Sequence, residues 1–136
     1  MERPHFDTKI AIVLRDDLLS WQELNVTAFL ASAVASHFPE TMGKDFVDGS
    51  EIRYLGIFRQ PVMIFQSNEL KRLYHAAREK GLHVSLYTKD IFSTQGNQNL
   101  EAIAKHPEGE HDYVGLIFYG KKKHVDTVLK GQKLHS

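Results

Sequence analysis

Three clusters of polar residues could do chemistry, and each follows a strand-like segment. Arg15, Asp16 and Asp17 follow the apolar run of residues 9–14; Gln66, Ser67 and Asn68 follow Val62–Phe65; Lys89, Asp90, Ser93, Thr94, Gln95 and Asn97 follow His83–Thr88. Carboxylates, hydroxyls and amides grouped in this way can take up a proton, orient a water or hold a polar substrate. Each also has a structural alternative. Carboxylates ahead of a helix complement its dipole, and Asp90 followed by Ser93–Gly96 also fits a turn.

Other chemistries lack their residues. The chain has eight histidines and no cysteine. No pair has His-x-x-x-His spacing, and His106 and His111 merely flank a Pro-Glu-Gly-Glu loop, so no metal is expected. Neither a Gly-x-Ser-x-Gly elbow nor a glycine-rich phosphate loop occurs. Lys121–Lys123 could meet a phosphate, but a charge run before a helix is more often a solvated face.

The elements that must position these clusters alternate along the chain. Residues 9–15, 62–65 and 114–119 are continuous apolar runs, which suits strands buried on both faces. A helix from Trp21 carries Trp21, Leu24, Ala28, Ala31, Ala35 and Phe38 on one stripe, whose alanines would allow close approach to a sheet. Leu30 and Val34 mark a second apolar face, so this helix is expected to be mostly buried, with Ser20 and Glu23 forming a capping box. Leu70, Leu73, Tyr74 and Ala77 form the stripe of a second helix, capped by Ser67 and ended by Gly81. A short helix is expected over residues 100–105, and a last one over residues 122–130 buries Val125, Val128 and Leu129 and stops at Gly131. Ile52–Ile57 reads as an extra edge strand. This order predicts a three-layer α/β/α sandwich around a small, mainly parallel mixed sheet, in one domain over residues 1–136. The three clusters then share the carboxyl ends of the strands, where open α/β sheets bind ligands.

Composition agrees with a folded domain. The chain has 136 residues, 42% of them apolar and 25% charged, and its 17 basic residues balance 17 acidic ones. A domain near this size buries roughly two-thirds of its unfolded surface. Zero net charge supplies no global field for nucleic acid. Ala28–Ala35 is too short to span a membrane. The first five residues lack the apolar core of a signal peptide, so the cytoplasm is the expected location.

Read together, the segments resemble the type II peptidyl-tRNA hydrolases. Arg15, Asp17 and Leu18 match that family's Arg-x-Asp-Leu, Gly81-Leu82 with Leu86 its helix-to-strand junction, and Asp90 with Thr94-Gln95 its Asp-x-x-x-Thr-Gln loop. The ending, from Val114–Ile117 through Val125-Asp126 to Lys133-Leu134, has the same shape. The resemblance implies a peptidyl-tRNA hydrolase II-like fold, with Asp90 and Thr94 as catalytic residues. Two stretches depart, Trp21–Val26 and Gly43–Ile57, and look like an uncharacterised branch of that superfamily. The family's lysine before the first helix is missing from Ser20–Asn25, which removes a cation for stabilising developing negative charge. A tRNA substrate is therefore not favoured.

Two functions follow as expectations. The first is a hydrolase of an ester or amide, such as an aminoacyl ester, with Asp90 as base, Thr94 positioning the water, and Arg15, Asp17, Asn25 and Gln95 binding the substrate. The second is a non-catalytic module for a small molecule or RNA that has lost the hydrolase lysine. Neither requires a cofactor. A third reading makes Trp21 and Phe92 the anchors of a homodimer.

Overall fold

The computed structural model describes residues 5–136, so the reading of the N-terminus falls partly outside the described residues. Strands β1 (Thr8–Arg15), β4 (Val62–Ser67), β5 (His83–Thr88), β6 (Tyr113–Lys121) and β7 (Lys133–Leu134) form one sheet in the order β5-β6-β1-β4-β7. Helices α1 (Ser20–His37), α2 (Leu70–Glu79), α3 (Asn97–Ala104) and α4 (Lys122–Val128) complete the sheet's surroundings, and β2 (Phe46–Val47) and β3 (Arg53–Tyr54) make a separate hairpin.

The sheet is mixed but not mainly parallel. Only β1 and β4 pair in parallel; β6 runs antiparallel to both β1 and β5, and β7 antiparallel to β4. The cause lies between β5 and β6. A parallel neighbour needs a helix that crosses a sheet face. Here the connection is a 3-10 turn, Lys89–Ser93, and α3, which pack against each other and the end of β5, so the chain re-enters from the same edge. The carboxyl ends of β1, β4 and β5 nevertheless lie together, as the sequence requires.

β1 alternates its side chains between two cores. Ala11 and Val13 join Leu70, Leu73, Tyr74 and Ala77 of α2 and Val125 and Val128 of α4. Ile10, Ile12 and Leu14 join Val26, Leu30 and Val34 of α1. One strand buried on both faces thus accounts for the unbroken apolar run.

α1 does not seat as its alanine stripe suggests. Val26, Leu30 and Val34 face the sheet, while Trp21, Leu24 and Phe29 stay more than half exposed. Close approach is provided from the other side, by a glycine of β6. A Cβ on Gly115 would stand 2.5 Å from Val26 Cγ1 and 3.0 Å from Leu30 Cδ1. The stripe of two valines and a leucine therefore fits against a gap in the sheet, leaving Ala28 exposed and Ala31 and Ala35 only partly buried.

Two caps also move. Leu19 is the N-cap of α1, its N–H donating to Gln22 Oε1 at 2.9 Å, so Ser20 and Glu23 form no capping box. Ser67 ends β4, and its Oγ accepts the Glu69 N–H at 3.0 Å, with α2 starting at Leu70. Residues 52–57 give no edge strand to the main sheet; they are one leg of the hairpin.

Candidate functional site

The predicted residues divide into small groups along the carboxyl edge. Arg15 is the centre of the first. Its Nε donates to Asp17 at 2.7 Å, and its Nη1 donates to Asp112 at 2.7 Å and to the Tyr113 carbonyl at 3.2 Å. The guanidinium hydrogen bond holds the Asp17 carboxyl below its ordinary value, and the nearby charge of Lys89 helps. The Lys89 N–H donates to the Asp112 carbonyl at 3.0 Å, which ties the end of β5 to the start of β6 beside this cluster.

Asp90 belongs to a second group. Its carboxylate faces His106 Nε2 at 3.4 Å, with both side chains about half exposed. Thr94 donates its hydroxyl to Asn99, and Gln98 accepts the Gln95 N–H at 3.2 Å, so the loop residues mainly build the start of α3. Gln95 is exposed. Asn25 lies half-buried on α1 between Trp21 and Phe29; those two rings meet Phe92 at 5.8 Å and Tyr87 at 5.9 Å within the same chain. Asp17 and Asp90 therefore share an edge but have different partners.

The cavity at this edge lies on the face that α1 covers. α1 packs over β5, β6 and β1. Beside it the sheet is left open toward β4, where Leu14, Ser20, Glu23, Leu24, Thr27, Ile64 and His135 line a space of about 450 Å³. A volume and a mostly apolar lining of this kind suit a small organic ligand. None of Asp17, Asp90, Thr94, Arg15, Asn25 and Gln95 lines it.

The polar wall of the cavity is an ion pair. The His135 N–H donates to the Ile64 carbonyl at 2.9 Å, continuing the β7–β4 pairing by one residue. This places the imidazole against α1, where Nε2 meets Glu23 and Nδ1 meets the backbone oxygen of Ser136 at 2.8 Å. Both partners offer acceptor oxygens, an arrangement that favours the doubly protonated ring. The hydrogen bond to Glu23 raises the His135 pKa above its ordinary value. The pair is largely sheltered, at 18% side-chain exposure for Glu23 and 30% for His135. Thr27 donates its hydroxyl to the Glu23 carbonyl at 2.7 Å.

Sequence reasoning missed Glu23 and His135 as a site. Glu23 read as half of a cap, and His135 as one of eight scattered histidines. One signal was present: Glu23 is the single carboxylate of α1, a helix with no lysine or arginine. Among the described residues, no group of three or more histidine or carboxylate side chains gathers as a metal site, and no helix is long and apolar enough to cross a membrane.

A family model described as "protein of unknown function (DUF2000)" matches residues 8–136. The chain belongs to the DUF2000 family. A solved structure, that of the protein of unknown function Atu0240 from Agrobacterium tumefaciens strain C58, is 34% identical with a TM-score of 0.92, over 97% of this chain and 100% of that one. No curated protein matches the sequence. The fold is shared with that protein, while neither description states an activity or a peptidyl-tRNA hydrolase relationship.

Proposed function

We propose that this protein binds a small, electrically neutral organic molecule in the cavity between α1 and β4. The carrying observation is the Glu23–His135 pair set into a mostly apolar wall that also holds Ser20 and Thr27. The pair is internally neutral, so it offers hydrogen bonding without a net charge to balance. A ligand with an apolar body would lie against Leu14, Leu24 and Ile64, while an amide, alcohol or ester head would meet Ser20, Thr27 and the pair.

Binding is favoured over catalysis at this cavity because its histidine is held between two acceptors. Both nitrogens of His135 are engaged, which disfavours it as a base for Ser20 or a water. The hydrolase reading, with Asp90 as base and Thr94 positioning the water, lies outside this cavity, where Asp90 faces His106 at 3.4 Å. We likewise read the fold as peptidyl-tRNA hydrolase II-like, on the Arg15–Leu18 and Asp90–Gln95 motifs, without carrying over the tRNA substrate.

Thermal shift with octanamide, 1-octanol and octanoate tests the binding proposal. The neutral probes should raise Tm and octanoate should raise it less, because ligand binding to the native state stabilises it by mass action. Thr27→Phe, which fills the cavity from α1, should abolish the shift. Equal shifts for all three probes in wild type and variant would reject the cavity as the site.

A further inference from the structure

α1 carries large apolar side chains, interspersed with Ser32 and Ser36, on the side its own domain leaves open. Leu19, just ahead of it, and Trp21, Leu24 and Phe29 on it are between 56% and 73% exposed. A helix facing solvent ordinarily presents charge opposite its buried stripe. Here Glu23 is committed to His135, and the helix otherwise carries only His37 among ionisable side chains.

The hairpin is a second uncovered apolar element. Its ladder runs from Gly43 N to Ile57 O at 2.7 Å up to Asp48 N to Ile52 O at 3.0 Å. Asp48 braces the tip, accepting the Ser50 and Ile52 N–H groups and the Tyr54 hydroxyl. At the foot, any Cβ on Gly56 would stand 2.3 Å from the Gly43 oxygen, so the legs are locked closely together. Yet Phe46, Val47, Ile52, Tyr54, Leu55 and Ile57 are all more than half exposed, Leu55 by 84%. A two-stranded hairpin without a covered face is marginal in water.

We propose that two copies of this chain associate reciprocally, the hairpin of each lying on the outer face of α1 of the other. Taking about 100 Å² for each half-exposed large apolar side chain, the two surfaces offer on the order of 1,000 Å² per copy. A standard interface needs about 800 Å² per partner. Each hairpin leg reaches about 20 Å, enough to lie along several turns of a helix. A second copy supplies both the missing arm and the missing helix face, as a two-fold contact requires. The zero net charge leaves no overall repulsion between copies.

Sedimentation velocity across a wide concentration range tests this. The wild type should show a dimer mass that dissociates on dilution. Leu55→Asp and Phe29→Asp, one on each surface, should each raise the dimer Kd about a thousandfold, since a buried anchor is worth about 30-fold and acts twice in a two-fold dimer. Because the chain has no cysteine, an equal mixture of Phe29→Cys and Leu55→Cys proteins should oxidise mainly to the mixed 29–55 disulfide. A monomer mass at every concentration, a dimer that survives both aspartates, or only 55–55 and 29–29 links would each overturn the proposal.

Discussion

Replacing Glu23 by Gln should remove most of one specific pH dependence of stability while leaving the fold intact. In the wild type the hydrogen bond to Glu23 raises the His135 pKa above the unfolded value of about 6.5. A group with a raised folded pKa contributes its full stability below the unfolded pKa and loses it as pH climbs through the folded one. The window therefore opens near pH 6.5 and extends upward. Exposed pairs contribute about 0.2–1 kcal/mol, and breaking a buried one costs about 3–5 kcal/mol. A pair sheltered to 18% and 30% exposure lies between, so about 1–2 kcal/mol is expected. For a chain of 136 residues that corresponds to a Tm change of about 3–10 °C. With Gln at position 23 the side-chain amide can donate to neutral His135 Nε2 while Nδ1–H still donates to the Ser136 oxygen, so the hydrogen bonds survive without the charge. Circular-dichroism melts from pH 5.5 to 9, with wild type and variant compared pairwise, cancel the other seven histidines. Wild-type Tm should fall relative to the variant as pH rises. Parallel Tm-against-pH curves would refute the ion pair.

Three further outcomes follow from the geometry. Gly115→Ala should cost about 1–3 kcal/mol in urea unfolding by overpacking against Val26, whereas Gly49→Ala, with open space around it, should cost far less; equal costs would deny the close approach of α1. Asp90→Asn should leave turnover of an aminoacyl ester unchanged if binding is the function, and loss of a measurable wild-type rate would restore the hydrolase reading. Arg15→Met should shift stability by less than about 1 kcal/mol, as its partners Asp17 and Asp112 are over half exposed, but should speed amide exchange at Lys89, whose N–H is bonded to Asp112.

Much of this fold could be read from the sequence because its signals were local. Leu70, Leu73, Tyr74 and Ala77 are all buried, and the positive φ of Gly81 and Gly131 ends α2 and α4 as their positions suggest. The errors came where a distant partner decides. The α1 stripe was misassigned because the glycine that admits Val26 lies on β6, far away in sequence. Strand direction depended on a connection that stays at one sheet edge, which periodicity does not reveal. The same applies to the site. Arg15 and Asp17 are neighbours in sequence and in space, but Glu23 and His135 meet only after β7 pairs with β4.

Methyl-resolved NMR of isoleucine, leucine and valine side chains during an octanamide titration tests the central claim most directly. The account predicts saturable shifts at Leu14, Leu24 and Ile64, and no comparable shifts at Leu73 or Val128 on the opposite face of the sheet. Saturable shifts confined to Ile91 and Ile103 beside the Asp90 loop, or none anywhere, would contradict it.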